Sequence, residues 1–380
     1  MKVFSYIFST VVANVLLVPK SQNFFMHNFL NKEVLEEYNI KQLANFKNID
    51  IYTTSKINYN SFHNILDLLF DVEEDRQISL YNVYSPQFII HKDKNLENTP
   101  WHLNSITNNK WKKYNKTGSC HKNKNIKIHT YILDTGIDIY HPEFEGRAEW
   151  LENFADDVNI DCQNHGTHCA GLVGSKSFGI CRDAKLFSIK VLDCRGYGTL
   201  SNVIKGIEFA FKRHNLLSEE NDDIRSIVSM SLGGGFSKAI NTAIESCLSH
   251  SNTFYFTVAS GNENSDACNT SPASADGVLS VMAMGEDNTR AYFSNFGQCA
   301  DIYSPGVKIE STIPNDRTAK YSGSSMSTPL VAGVLNHYLD MYPHMNMAEI
   351  KKQLLKDARE DIIINNPKNT PNKMVYLKRN

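Results

Sequence analysis

From about residue 100 onward, short apolar runs alternate with longer amphipathic runs along the chain. KIHTYILDTG, SIVSMSLGGG and TFYFTVASGN are typical of buried strands that end at glycine-marked turns, whereas LSNVIKGIEFAFKRH and KAINTAIESCLSH have the apolar spacing of helices. Strands that alternate with helices predict an α/β fold, in which helices cover both faces of a parallel sheet. In such sheets, functional sites lie at the carboxyl ends of the strands.

The pattern before residue 98 predicts a separate, small α+β unit. SFHNILDLLF at 61–70 has helical spacing, QISLYNV and QFIIHKD are typical of short strands, and HKDKNLENTP predicts a polar linker. Within the first 21 residues, Lys2 is followed by a mostly apolar run that is short for a membrane span. They predict a signal peptide, with a buried N-terminal strand or helix as the alternative. The predicted division is therefore 1–21, 22–97 and 98–380.

Charge and composition argue against nucleic acids and membrane spans. The chain has 39 Lys and Arg residues against 41 Asp and Glu residues, so no excess of positive charge is available to hold a nucleic acid. No later segment is apolar enough to span a bilayer, and we expect no membrane span. The eight cysteines are compatible with a few disulfides in a secreted chain.

Four polar side chains stand where predicted strands end or predicted helices begin. Asp134 ends the first strand, His165 begins a helix in NHGTHCAG, Asn262 follows a strand, and Ser325 precedes a helix in SSMSTPLVAG. A serine hydroxyl becomes nucleophilic when a base accepts its proton and an acidic residue orients that base. The chain order Asp, His, Ser is one of those used by serine hydrolases. The Asn262 amide and a backbone N–H at a helix N-terminus could stabilise the oxyanion.

A metal site is the alternative for the histidine. CQNHGTHC places Cys162, His165, His168 and Cys169 at close spacing. That spacing matches no common structural zinc pattern, and a metal would leave the serine and the aspartate unexplained.

Six ordered motifs resemble those of the subtilisin-like serine proteases, and of the proteinase K group in particular: ILDTGIDIYHPEFEGR, NHGTHCAG, SMSLGGG, ASGNEN, FSNFGQCADIYSPG and GSSMSTP. The resemblance extends from about Pro100 to TPNKMVYL. It implies a subtilisin-like fold with Asp134 as the orienting acid, His165 as the general base, Asn262 as the oxyanion donor and Ser325 as the nucleophile.

The resemblance implies a secreted serine endopeptidase that hydrolyses polypeptides without a catalytic cofactor. Substrate would bind as an extended strand against two segments, whose residues are Gly196, Tyr197, Gly198, Ser231, Leu232 and Gly233. The side-chain pocket would be formed by Leu192, Leu232, Ala259 and Gly261, without a carboxylate, which favours apolar or aromatic residues. A kexin-like processing protease and an inactive relative that binds peptides are the two alternatives.

Residues 22–97 resemble, weakly, the inhibitory propeptide of this family, with QFIIHKD in place of its closing strand. Self-cleavage is therefore expected between Lys92 and Asn98. The protein is expected to be a monomer with its own propeptide as an intramolecular inhibitor. We expect it to enter the secretory pathway and to be extracellular, with the cell surface and the vacuole as other destinations.

The resemblance also implies cross-links and a structural metal. Disulfides are expected at Cys162–Cys194 and Cys268–Cys299, with Cys169 as a free thiol beneath His165. The other three cysteines, at positions 120, 181 and 247, have no predicted partner.

The resemblance places a structural calcium ion on the carboxylate of Asp301 and the backbone carbonyls of Asp276 and Val278. Oxygen ligands in irregular loops are those that calcium prefers. The alternative is that the Asp301 carboxylate accepts a hydrogen bond from a neighbouring loop amide.

Overall fold

The computed structural model describes residues 15–20, 32–37, 39–46, 49–54, 70–81, 87–89, 99–110, 120–123 and 125–378. These residues belong to two compact units, one within Met1–Arg76 and the other within Gln77–Asn380. Among them, no helix combines the length and the apolar character needed to cross a membrane.

The N-terminal unit contains a four-stranded antiparallel sheet with strand order β2-β3-β1-β4. Its elements are β1 (Val15–Pro19), α1 (Lys32–Glu37), β2 (Lys41–Phe46), β3 (Ile49–Thr54) and β4 (Phe70–Glu74). Leu17, Ile40 and Phe70 form its core. A small α+β unit is therefore present, as predicted. The helix predicted at 61–70 lies outside the described residues, apart from Phe70 in β4.

Strand β1 lies within the segment predicted as a signal peptide. The prediction placed Val15–Pro19 inside a signal peptide, but these residues pair with both β3 and β4. The side chains of Leu16, Leu17 and Val18 are fully buried. A short apolar run fits a signal peptide and a buried strand equally well, and here it forms a buried strand. Residues 1–14 and 21 lie outside the described residues.

The C-terminal unit is built on a nine-stranded sheet with strand order β19-β20-β16-β15-β13-β11-β7-β9-β8. Every neighbouring pair is parallel except β19–β20. Its strands are β7 (Lys127–Asp134), β8 (Ala148–Asn153), β9 (Lys185–Lys190), β11 (Ile224–Met230), β13 (Phe254–Ala259), β15 (Leu279–Met284), β16 (Ile302–Pro305), β19 (Arg359–Glu360) and β20 (Lys373–Met374). Every side chain of β11 and β13 is buried, as expected for central strands of a parallel sheet covered on two faces.

The helices of this unit are α2 (Trp101–Ile106), α3 (His165–Gly174), α4 (Leu200–Glu220), α5 (Lys238–His250), α6 (Ser324–Met341) and α7 (Met347–Asp357), with 3₁₀ turns at Pro142–Phe144 and Ala267–Asn269. Helices α3 and α6 pack against each other and against the sheet, and α4 and α5 form a second such pair. The predicted α/β class is therefore confirmed.

Two smaller sheets lie beside the large one. The first has the order β10-β5-β12-β14 and is formed by β10 (Tyr197–Thr199), β5 (Gln77–Leu80), β12 (Leu232–Gly235) and β14 (Thr270–Ser271). The second has the order β17-β18-β6 and is formed by β17 (Ile309–Ile313), β18 (Arg317–Tyr321) and β6 (Gln87–Ile89).

Three disulfides cross-link this unit. Two of them, Cys162–Cys194 and Cys268–Cys299, are those that the resemblance implied. The third joins Cys120 to Cys181, a pair separated by 61 positions that the sequence could not assign. Cys169 and Cys247 are buried free thiols.

Candidate active site

Asp134 and His165 form a buried pair. Asp134 is the last residue of β7, and His165 is the first residue of α3, so the end of a central strand meets the start of a helix. The Nδ1 atom of His165 lies 2.8 Å from Oδ1 of Asp134 and 3.0 Å from Oδ2. The Nε2 atom is buried and has no hydrogen-bond partner among the described residues. The hydrogen bonds at Nδ1 therefore orient the imidazole, and Nε2 stays available to form a hydrogen bond or to accept a proton.

Asp161, which the sequence analysis did not select, holds this pair in place. Its carboxylate accepts hydrogen bonds from the backbone N–H groups of Gln163, Asn164 and Thr167 and from the hydroxyls of Thr135 and Thr167. It therefore satisfies donors that the start of α3 would otherwise leave unpaired, and it ties α3 to the residue after Asp134. An acidic residue three positions before the N-cap was the available sequence signal.

Gly166 permits the close approach between α3 and the loop after β7. A Cβ atom at this position would overlap the carbonyl oxygen of Gly136. The backbone N–H of Gly166 also donates to the Thr135 hydroxyl at 3.0 Å. Close packing alone therefore explains why the HGTH motif has a glycine at this position, without any role in a reaction.

Ser325 is the second residue of α6 and is completely buried. Its hydroxyl donates to the backbone carbonyl of Ser231 at 3.1 Å, and the Ser231 hydroxyl donates back to the carbonyl of Ser325 at 2.8 Å. The Cys169 sulfur lies 3.7 Å from Nδ1 of His165 and 3.5 Å from the carbonyl oxygen of Ser325. Ser325, His165 and Asp134 are therefore brought to one place, with the predicted free thiol between α3 and α6.

Asn262 and the start of α6 present two donors to one small space. The Asn262 Oδ1 atom accepts a hydrogen bond of 2.8 Å from the Ser324 N–H, which fixes the orientation of the amide. A Cβ atom added to Gly323 would lie 3.0 Å from Asn262 Nδ2 and 3.6 Å from the Ser325 nitrogen. This arrangement of two N–H groups beside a nucleophile is suited to an oxyanion.

Burial and charge compete at His165. Burial lowers the pKa of its imidazole, but the Asp134 carboxylate, bonded to Nδ1, raises that pKa, and the net result is well above its usual value. Burial raises the pKa of the Cys169 thiol. That thiol is therefore a small buried side chain in its neutral form rather than a second nucleophile.

The predicted substrate-binding edges already hold a strand of the chain itself. Strand β5 lies between β10 and β12 and is antiparallel to both. Ser79 pairs with Tyr197 on one side and with Gly233 on the other, and the Leu80 N–H donates to the Gly196 carbonyl at 3.0 Å. The segments that contain Gly196, Tyr197, Gly198, Ser231, Leu232 and Gly233 thus form a cleft that binds an extended polypeptide.

Tyr81, the residue after β5, reaches the reactive centre. Leu80 pairs with Leu232, so the antiparallel register places Tyr81 beside Ser231, whose carbonyl holds the Ser325 hydroxyl. The Tyr81 side chain is only 4% exposed. A Cβ atom on Gly233 would overlap its hydroxyl, so the glycine makes room for a large ring.

Glu263 modifies the predicted side-chain pocket. Burial raises the pKa of the Tyr81 hydroxyl, the Glu263 carboxylate raises it further, and Thr270 acts in the opposite direction. The Glu263 carboxylate accepts hydrogen bonds of 2.9 Å from the backbone N–H of Asn262 and from the side-chain amide of Asn295. Glu263 was not among the four matched pocket positions, but a Cβ atom on Gly261, which is one of them, would lie 2.6 Å from Glu263 Oε2, so a carboxylate stands next to these positions.

The expected closing strand was placed on the wrong segment. QFIIHKD was predicted to fill the cleft, whereas Gln87–Ile89 of that segment form β6 and pair with β18. Strand β5, from the earlier segment QISLYNV, is the one that lies in the cleft. Both segments have strand-like apolar patterns, and local pattern does not choose between two edges of the fold.

The predicted calcium ligands have other partners. Asp301 Oδ1 lies 2.8 Å from the ammonium group of Lys351, and the Val278 carbonyl accepts a hydrogen bond of 2.6 Å from the same ammonium. The other oxygen of Asp301 accepts the Ser280 N–H at 2.8 Å, which is the alternative that the sequence left open. Asp276 is exposed.

The four residues of the alternative metal site do not form one ligand set, although the ligand atoms of His165 and Cys169 lie within 4.8 Å of each other and of Asp134. Cys162 is bonded to Cys194, and His168 Nε2 lies 3.1 Å from the carbonyl of Ile309 and 3.0 Å from that of Ala319. A different cluster, formed by Cys120, His121, Cys181 and Asp183, brings four possible ligand atoms together, but its two sulfurs are joined to each other.

The family follows from these features together with the comparisons. The sequence pattern of the subtilase family, peptidase family S8, matches residues 124–375, and the chain belongs to that family. Its class is therefore that of the serine peptidases, which act on polypeptides.

Similar proteins support this assignment. A subtilisin-like serine protease of Rhodotorula mucilaginosa is 36% identical over 333 residues, which cover 82% of this chain and 96% of that protein. Cerevisin of Saccharomyces cerevisiae is 40% identical over 266 residues, which cover 66% of this chain and 42% of cerevisin. The crystal structure of a cold-adapted subtilisin-like serine proteinase matches with a TM-score of 0.66 and 31% identity, covering 74% of this chain and all of that one. The chain thus spans less than half the length of cerevisin.

Proposed function

We propose that the protein is a serine endopeptidase in which Ser325 is the nucleophile, His165 the general base and Asp134 the orienting acid. The hydrogen bond of 2.8 Å between His165 and Asp134 carries the proposal, because it leaves Nε2 of a buried imidazole without a partner, and the Cys169 sulfur contacts both this histidine and the backbone carbonyl of Ser325. Asn262 and the Ser325 N–H would form the oxyanion hole.

The reaction is acyl transfer to water. The Ser325 oxygen attacks a peptide carbonyl while His165 Nε2 takes the hydroxyl proton, and the proton then passes to the leaving amine as the C–N bond breaks. Water next attacks the acyl-enzyme and gives a proton to His165. The ester bond to Ser325 then breaks, His165 returns the proton to the Ser325 oxygen, and the new carboxylic acid product is released. Asp134 keeps the imidazole in the required orientation and stabilises its charged form.

Removal of one oxyanion donor tests the role of Asn262. Asn262→Ala should lower kcat by roughly 10²–10³-fold and change KM far less, since the lost hydrogen bond forms mainly in the transition state. Asn262→Asp is the matched variant, because it preserves the shape of the side chain without its N–H donor. Steady-state kinetics on a peptide anilide check the prediction. A kcat within threefold of wild type in both variants would remove Asn262 from the mechanism.

The pH dependence follows from the raised pKa of His165. The imidazole must be neutral to accept the Ser325 proton, so kcat/KM should increase with pH and reach half its maximum above pH 6.5. The Asp134 carboxylate opposes loss of the imidazole proton and moves the midpoint upward. A profile of kcat/KM from pH 5 to 10 measures this midpoint. A midpoint clearly below 6.5 would contradict this electrostatic account.

We infer a preference for large aromatic residues before the scissile bond, because the Tyr81 ring occupies the space that Gly233 leaves open. Gly233→Ala should reduce kcat/KM for a substrate with Tyr at that position by about tenfold or more, since the added methyl overlaps the ring. An otherwise identical substrate with Ala at that position is the internal control and should be affected less. Equal losses for both substrates would argue against this pocket.

The same register suggests where the precursor is cut. Tyr81 lies where the residue before a scissile bond would lie, which supports self-cleavage between Tyr81 and Asn82 rather than between Lys92 and Asn98. Residues up to Tyr81 would then act as an inhibitory propeptide whose last strand, β5, occupies the cleft. Sequencing the N-terminus of the processed chain tests this: Asn82 is expected, and any start after Lys92 that forms without an Asn82 intermediate would contradict it.

Secretion is part of the proposal. A signal peptide that ended before Val15 would leave β1 intact, whereas cleavage after residue 21 would remove a central strand of the N-terminal sheet. The three disulfides support an oxidising compartment.

A further inference from the structure

Lys351 lies among the oxygens expected to hold calcium. Its ammonium group is 2.8 Å from Asp301 Oδ1 and 2.6 Å from the Val278 carbonyl oxygen. These are a carboxylate and a carbonyl, the kinds of ligand that a calcium ion takes. Both groups therefore already contact a cation that belongs to the chain.

The remaining contacts around Asp301 are also satisfied within the chain. Its second oxygen accepts the Ser280 N–H, and its own N–H donates to the Ser280 carbonyl at 2.9 Å. The Asp301 side chain is 16% exposed and that of Lys351 is 24% exposed, so both ends of the pair are largely shielded from water. The pair is consequently less weakened by solvent than an ion pair on the open surface.

The position of Lys351 is set by its helix. Helix α7 begins at a capping box, in which Asn346 and Glu349 satisfy each other's backbone N–H groups. Two residues after Glu349, Lys351 extends from the first turns of α7 to the loop before β15 and to Asp301, which precedes β16. It thus joins the C-terminal helix to two strands of the main sheet.

Three further lysines lie nearby. Lys352, Lys356 and Lys373 line the same surface pocket as Lys351, next to Gly277, and Lys373 is paired with Glu360. A calcium ion bound to Asp301 and Val278 would lie about 2.3–2.6 Å from the two oxygens that the ammonium already contacts. Two cations cannot share these oxygens at such distances, and the neighbouring lysines add to the repulsion.

We propose that the ammonium of Lys351 replaces the calcium ion at Asp301 and Val278, so that this part of the fold is stabilised by an internal cation and does not respond to calcium. The residues do not fit the calcium site that the family resemblance implied. The contacts of Lys351 affect the stability of the fold and not the reaction, so this proposal does not depend on which residues are catalytic.

Thermal unfolding in millimolar calcium and in excess chelator provides the test, with every variant made in a Ser325→Ala background to prevent self-digestion. The chelator effect on Tm should be the same in the parent and in Asp301→Asn, because Asp301 binds no calcium. Lys351→Ala should lower Tm by about 5 °C, since it leaves a largely buried carboxylate without its counter-charge. Lys352→Ala, which removes the adjacent exposed lysine, should change Tm by less than 1 °C.

Two results would overturn the proposal. One is a Tm that falls in chelator for the parent and not for Asp301→Asn, which would show that Asp301 binds calcium. The other is a Tm of Lys351→Ala equal to that of Lys352→Ala, which would show that the ammonium contributes nothing at this position.

Discussion

Replacement of Ser325 by alanine is expected to lower peptide hydrolysis by about a millionfold, to the background of the assay. The hydroxyl is the only group of that side chain that can form the acyl-enzyme, and neither His165 nor Asp134 can substitute for it. The same variant should remain uncut between Tyr81 and Asn82, because the cut requires the same nucleophile. Hydrolysis of a tyrosine peptide anilide and mass spectrometry of the purified chain measure the two effects.

Ser322→Ala is the matched control for this experiment. Ser322 belongs to the same serine-rich run, but its hydroxyl accepts a hydrogen bond of 2.8 Å from the Lys308 N–H and so stabilises the loop that contains Lys308. Activity within a few-fold of wild type is expected. If Ser325→Ala kept more than a thousandth of the activity, or if its chain were cut normally without added wild-type enzyme, another residue would be the nucleophile.

Asp134→Asn is expected to lower kcat/KM by about ten-thousandfold near neutral pH, although it changes a single atom. The carboxylate accepts a hydrogen bond from Nδ1 of His165, which leaves Nε2 without a proton and able to act as a base. An asparagine amide can donate to Nδ1 instead, which stabilises the tautomer that carries its proton on Nε2 and cannot accept another.

The control for that substitution is Asp138→Asn. Asp138 lies four residues further along the same segment, and its carboxylate accepts hydrogen bonds from the N–H groups of Tyr140 and Asn315. Its replacement should leave kcat/KM within a few-fold of wild type. Near-UV circular dichroism of both variants verifies that the fold is retained. A loss below tenfold for Asp134→Asn in a folded protein would contradict the proposed role of the carboxylate.

The four proposed site residues could be selected from the sequence because each lies in a short motif. Asp134, His165, Asn262 and Ser325 stand at the ends of strands or the starts of helices, and parallel topology brings those ends to one edge of the sheet. Periodicity alone was sufficient for the α/β class. The choice of these four residues and of the α/β class depends on local sequence and on one rule of topology, namely that the carboxyl ends of parallel strands lie at the same edge of the sheet.

What escaped prediction depends on contacts between distant segments. The Cys120–Cys181 disulfide joins residues 61 positions apart, and Lys351 meets Asp301 across the chain from a helix that shows only an ordinary amphipathic pattern. The choice between β5 and β6 for the cleft depends on which edge each strand pairs with, and a strand pattern contains no information about its partner.

Strand β1 illustrates an ambiguity in composition. Val15–Pro19 is apolar and near the N-terminus, which are the properties of a signal peptide and also of a buried strand. In the folded N-terminal unit these five residues pair with β3 and β4, and the signal peptide stays a prediction.

The central claim, that Ser325 is the nucleophile of the proposed triad, is tested most directly by labelling the processed enzyme with a fluorophosphonate and mapping the adduct by tandem mass spectrometry. The account predicts one adduct, on the Ser325 oxygen, that is absent from Ser325→Ala and strongly reduced in Asp134→Asn. An adduct on Ser322, Ser324 or Ser327, or no adduct on an enzyme that hydrolyses peptides, would contradict it.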